Sequence, residues 1–195
     1  MVGQMQLHRL VRNPYGRAVY DRLQAAGVTA TVMSEYGRSL PVDDAPDPDA
    51  FRVKGCDPAT VRALAAPTDE LVDGETVVGA FADGTPLGYL FCSVDATLPI
   101  HPLERTLSFD GAYVRRVFVA PDHRERGVAG ALLDWALADA SGDGAERATA
   151  LVARDNIPSR ALFESREFGV RRRHFYARAG PLTHYSVRER EPSQQ

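Results

Sequence analysis

Between Val117 and Ala140 the chain reads VFVAPDHRERGVAGALLDWALADA. An apolar run ends at Pro121 and a charged turn follows. Val128, Leu132, Leu133, Ala136, Leu137 and Ala140 then recur at helical spacing. The turn holds Arg124, Arg126, Gly127, Ala129 and Gly130. A strand that runs through such a turn into a helix suits an anion. The first amides of a helix have no intrahelical partner and stand at the positive end of its dipole. Glycine and alanine let a phosphate approach the backbone closely, and two arginines add charge-assisted hydrogen bonds. The pattern GxxxxGK[ST] is absent, so this cradle is not a Walker loop.

No other cluster of reactive side chains competes with it. Cys56 and Cys92 are far apart and match no metal spacing, and Cys92 sits in an apolar run that suits a small buried hydrophobe. His8, His101, His123, His174 and His184 are scattered, so no zinc site is expected, and His101 and His123 read as surface histidines in loops. Lys54 is the only lysine among 23 basic residues, and the net charge is -3. That balance gives no bulk reason to expect nucleic acid, and Arg171-Arg172-Arg173 reads as a solvent-facing stretch of strand. The N-terminus lacks an apolar signal core and no stretch approaches a membrane span, so a cytoplasmic protein with no membrane partner is expected.

The elements that must position the cradle follow from periodicity and turn residues. A helix is expected over 14–26 and a β-branched strand over 28–36. The segment 41–49, with three prolines and four aspartates, reads as a linker. A short helix over 58–66 is opened by Pro58. Strands at 75–82 and 86–95 flank Asp83-Gly84, a strong hairpin signal. A long loop at 96–111 leads into a strand at 112–120 and the helix from Val128. A strand at 148–154, a helix at 159–167 and a strand at 168–180 complete the order.

Two motifs in this order carry a resemblance. The first reads Val119-Ala120-Pro121-Asp122-His123-Arg124-Glu125-Arg126-Gly127-Val128-Ala129. The second reads Asn156-Ile157-Pro158-Ser159-Arg160-Ala161-Leu162-Phe163, followed by Glu167-Phe168. They resemble the [RQ]-x-x-G-x-[GA] and N-x-x-[AS]-x-x-L-Y-x-x-x-G-F patterns of the GNAT superfamily of N-acetyltransferases. Together they span about 112–170, and the strand order extends the likeness back to about residue 50. The resemblance implies an α/β domain with a mixed, mostly antiparallel central sheet flanked by helices, over 49–187. A short N-terminal helix–strand extension, 1–48, would precede it and a frayed tail, 188–195, would follow.

The same resemblance implies acetyl-CoA as co-substrate, with no metal. Backbone groups of Val117, Phe118 and Val119 would meet the pantetheine arm. Amides from Arg124 through Glu125, Arg126, Gly127, Val128 and Ala129 to Gly130 would hold the pyrophosphate. Asn156, with Ser159 and Phe163 from the same motif, would line the acetyl end. An amine would attack the thioester directly. Phe163 stands where many members carry a tyrosine that protonates the departing thiolate, and Glu167 replaces the usual glycine. The register that sometimes supplies a glutamate base falls on Tyr113, while Asp95 and Asp110 flank the right strands and could act through water. The acceptor would be a small-molecule or peptide amine, shaped by 96–111 and 1–48. A homodimer is plausible by resemblance alone. The competing reading is a non-catalytic acyl-CoA-binding or regulatory module, and an arginine-mediated nucleic-acid binder is weaker still.

Overall fold

The computed structural model describes residues 28–41 and 48–190. The helix expected over 14–26 lies outside them. The strands are β1 (Val28–Ser39), β2 (Arg52–Gly55), β3 (Thr76–Ala82), β4 (Thr85–Val94), β5 (Thr97–Ile100), β6 (Arg105–Ser108), β7 (Ala112–Val119), β8 (Arg147–Ala153), β9 (Gly169–Ala179) and β10 (Leu182–Glu189). Two α-helices, α1 (Val128–Gly142) and α2 (Ile157–Glu164), follow β7 and β8.

Eight strands form one sheet in the order β10-β9-β1-β8-β7-β4-β3-β2. Every neighbouring pair is antiparallel except β7 with β8. The mixed, mostly antiparallel sheet is the one the motifs imply. Residues 28–39, expected in an N-terminal extension, instead form an interior strand: Met33 pairs with Ala153 on one side and His174 on the other.

Several local expectations change. The loop 96–111 contains a second sheet, the β5–β6 hairpin. Pro58–Leu64 is a 3-10 helix, its N-terminus capped by the Asp57 side chain accepting from the Ala59 amide. Strands β2 and β10 had no counterpart in the pattern, and β10 takes in Arg188 and Glu189, which pair with Arg173 and Arg172. The β3–β4 turn meets its expectation: Asp83 and Gly84 both have positive φ, 47° and 79°, the primed geometry that matches strand twist.

Adjacent residues of a strand point to opposite faces. Val114 joins the larger core under α1, with Val78, Leu90, Leu132, Leu133 and Leu137. Tyr113 joins a smaller core with Met33, Leu98, Ile100, Leu103 and Phe109. One face of the sheet therefore carries the helices and the other carries the β5–β6 hairpin. Each fully buried leucine of α1 contributes about 2 kcal/mol, so its apolar stripe fastens to the sheet a helix already rich in the good helix formers alanine and leucine. Among the described residues no helix is long and apolar enough to cross a membrane.

Candidate active site

The site begins where the one parallel pair comes apart. β7 and β8 are in register only at Ala112–Ala148 and Tyr113–Thr149. Beyond Tyr113 the two strands diverge, while β7 stays paired with β4 as far as Val119–Gly88. Between Tyr89–Phe118 and Phe91–Arg115, two residues of β7, Arg116 and Val117, oppose Leu90 alone. This is a β-bulge, and Arg116 sits in it with φ of +56°. A bulge adds twist and re-aims the strand, so β7 turns away from β8 at the level where they separate.

A cavity of about 680 Å³ fills the opening, within the range of small-molecule sites. It passes through the sheet, because residues of both faces line it. Val114, Val117, Val152, Asn156, Ser159 and Phe163 border it on the helical side. Met33, Tyr113 and Leu151 form its floor on the other side, under two overhanging segments, Asp69–Val72 and Leu98–Pro102.

The turn after β7 leaves a helix end open. Pro121–His123 is a 3-10 turn, Glu125 has φ of +60° and Gly127 has φ of +78°. The Arg124 guanidinium donates back to the Val119 carbonyl at 3.1 Å. Among the described residues no side chain caps α1. The Ala131 amide donates to the Gly127 carbonyl at 3.0 Å, which leaves the Val128, Ala129 and Gly130 amides ahead of the first intrahelical bond. A Cβ on Gly127 would meet nothing within 4 Å, so the space before these amides is open. At Gly130 the space is filled: a Cβ there would collide with the Arg166 guanidinium. Arg166 is held by Asp134 through Nε–Oδ1 at 2.7 Å and Nη2–Oδ2 at 3.0 Å. The missing side chain of Gly130 thus makes room for Arg166, a role that the motif did not disclose.

At the start of α2, Asn156 Oδ1 accepts from the Ser159 amide at 3.2 Å, a side-chain cap that brings both residues to the cavity. Phe163 lies edge-on to Phe168, with centroids 5.1 Å apart, and stacks on Tyr36 at 6.3 Å. The Tyr36 hydroxyl donates to Glu164 Oε1 at 2.7 Å, and burial raises its pKa. It is committed to α2 and does not line the cavity, so it does not replace the hydroxyl that Phe163 lacks.

Of the predicted cofactor residues, Val117, Asn156, Ser159 and Phe163 meet at the cavity. Phe118 stacks on Tyr89 at 5.4 Å and Val119 packs towards Gly88, both off the cavity wall. Of the candidate bases, only Tyr113 lines it. Burial pushes its phenol pKa up, and its ring stacks on Phe109 at 3.9 Å. Asp95 has φ of +50°, and its Oδ1 accepts from the Gly111 amide at 2.6 Å, closing the base of the β5–β6 excursion. Asp110 is exposed beside it. Neither carboxylate lines the cavity.

The topology adds residues that the motifs did not mark. Arg115 Nε and Nη2 donate to Glu75 Oε1 and Oε2 at 2.7 and 2.6 Å, and Nη2 also donates to the Glu70 carbonyl at 2.7 Å. The Glu75 side chain is 0% exposed. Arg116 pairs with the Glu70 carboxylate. This clamp fixes Asp69–Val72 over the bulge. His101 is exposed, as read from sequence, and opens the β5–β6 turn, where it also lines the cavity. A local signal existed only for the arginines, whose adjacency in an apolar strand is unusual.

The sequence profile of the acetyltransferase (GNAT) family matches residues 42–169, and the chain belongs to this family. A GNAT-family structure from Novosphingobium aromaticivorans superimposes with a TM-score of 0.56 at 20% identity, covering 85% of this chain and 69% of the other. A protein from Staphylococcus epidermidis gives 0.56 at 6% identity, covering 88% and 67%. A GCN5-related N-acetyltransferase from Sphaerobacter thermophilus gives 0.52 at 14%, covering 89% of this chain and 56% of that one. These likenesses speak for the fold. No curated protein matches the chain.

Proposed function

We propose that the protein is an N-acetyltransferase that moves the acetyl group of acetyl-CoA to a primary amine by direct attack. The observation that supports this most is the cavity between β7 and β8, lined from both faces of the sheet, beside a strand that leads through a glycine turn into an uncapped helix. Such a passage lets donor and acceptor reach one point from opposite sides. The residues fit the donor: the amides from Arg124 to Gly130 would take the pyrophosphate, and Val117, Asn156 and Ser159 would border the pantetheine arm. Bound there, acetyl-CoA supplies an activated acyl carbon and a thiolate leaving group.

In the transfer, the amine nitrogen bonds to the carbonyl carbon and the C–S bond breaks. Sulfur leaves with the electron pair, and one proton leaves the nitrogen. The chain contributes chiefly by holding the reactants in line and polarising the carbonyl. Tyr113, kept protonated by burial, is a hydrogen-bond donor there rather than a base. The second reading, an acyl-CoA-binding module without turnover, draws on Phe163, which has no proton to give the thiolate.

Thermal unfolding with acetyl-CoA, CoA and a phosphate control tests the donor. A ligand that binds only the folded state raises the melting temperature by mass action. A rise with acetyl-CoA and not with phosphate is expected; no rise at millimolar acetyl-CoA rejects the proposal. Thiol release on adding amines then separates an enzyme from a binding module.

A further inference from the structure

The acceptor side of the cavity differs chemically from the donor side. Leu71, Val72, Leu98, Ile100, Pro102 and Leu151 give it an apolar part, beside Asp69, Glu70 and His101. Its fixed charges nearly cancel. Asp69 and Glu70 stand against Arg115 and Arg116, and Glu75 behind them is used by Arg115. Glu70 is taken up by both arginines, so Asp69 on the exposed rim is the carboxylate left for a cationic ligand. A polyamine or a multiply charged amino sugar would bring several ammonium groups to a wall that can answer one. An apolar body with a single amine would bury its carbons against the leucines and isoleucine.

We infer that the acceptor is a small primary monoamine on an apolar body, seated between Asp69–Val72 and Leu98–Pro102. This rests on the acetyltransferase reading for its purpose, and the test keeps the two apart. Propylamine, butylamine, pentylamine, hexylamine and spermidine are titrated calorimetrically into the full chain, with and without CoA. Each added methylene should tighten binding about three- to four-fold, and hexylamine should bind more tightly than spermidine. A series flat in chain length, spermidine binding as tightly as hexylamine, or no binding by any alkylamine overturns the inference. A CoA titration that shows no binding counts against the donor proposal instead, and the amine series without CoA still decides this one. As a local check, Leu71→Asp and the more exposed Pro102→Asp should each flatten the series. CoA affinity should stay within about two-fold, because the sites are separate.

Discussion

On the helical face, the cavity is bordered by the ends of regular elements, the bulged strand β7 and the capped N-terminus of α2, and β7 leads on through the turn to the open N-terminus of α1. On the opposite face it is bordered by 3-10 turns and a hairpin of two four-residue strands, fixed by an ion-pair clamp and by Asp95 closing on Gly111. The first side leads on to the open backbone amides at the start of α1, which do not depend on side-chain identity. The second offers side chains on segments with little regular structure of their own. A donor common to a family can be held by the first kind of wall, while acceptor choice can vary through the second without disturbing it.

Breaking the clamp should show the difference most strongly. Glu75→Ala leaves Arg115 without its buried partner and should cost about 3–5 kcal/mol of stability in urea unfolding. The folded fraction should keep its acetyl-CoA affinity and lose amine affinity. Equal loss of both ligands would mean that the two walls are not separable. The mirror-image change is Gly127→Leu. Its left-handed φ strains any other residue by about 1–2 kcal/mol, and the new side chain blocks the open amides. Acetyl-CoA binding should weaken roughly 100-fold, the equivalent of two charge-assisted hydrogen bonds, with the fold retained by circular dichroism. Unchanged affinity would remove the phosphate-cradle assignment.

Phe163→Tyr probes the point where the walls meet. Thiol release should rise several-fold, short of the roughly 100-fold that a general acid can contribute, since a thiolate leaves readily without help. An unchanged rate would show that proton supply is not limiting. The smallest effect belongs to Cys92, which does not line the cavity. Burial pushes its thiol from 9.0 up to about 12. The folded state favours the neutral thiol, so this stability is fully present below about pH 9 and is lost as pH rises towards 12. The loss by pH 10 is about 1 kcal/mol. Cys92→Ala should flatten the alkaline fall in melting temperature and leave both ligands' affinities unchanged.

The elements on the helical face were legible because their signals are local. The stripe from Val128 to Ala140, the glycine turn before it and the spacing from Asn156 to Phe163 each lie within one helix or turn. Those on the opposite face were not. Strands β2, β5 and β6 are four residues long, too short for alternation to rise above chance. His101 reads as a loop histidine until the hairpin folds back over Tyr113. Glu75 reads as the start of a strand until β4 and β7 bring Arg115 to it. Asp95 and Asp110 were attractive for their position beside the strands, but strand ends also need carboxylates to close turns, and Asp95 serves that purpose. The interior place of β1 could not be read locally, because both its partners come from the last third of the sequence.

That placement of β1 has a consequence for how the molecule comes into being on the ribosome. β1 is synthesised long before β8 and β9, and both of its edges are unsatisfied until they arrive. A nascent chain halted before Arg147 would carry a twelve-residue strand with two open edges, a template for pairing with other chains. Completion of the sheet therefore waits on the most distant contacts in the fold, which are the slowest to form. Because Met33 on β1 also floors the cavity, the site is finished only when that late strand insertion is complete.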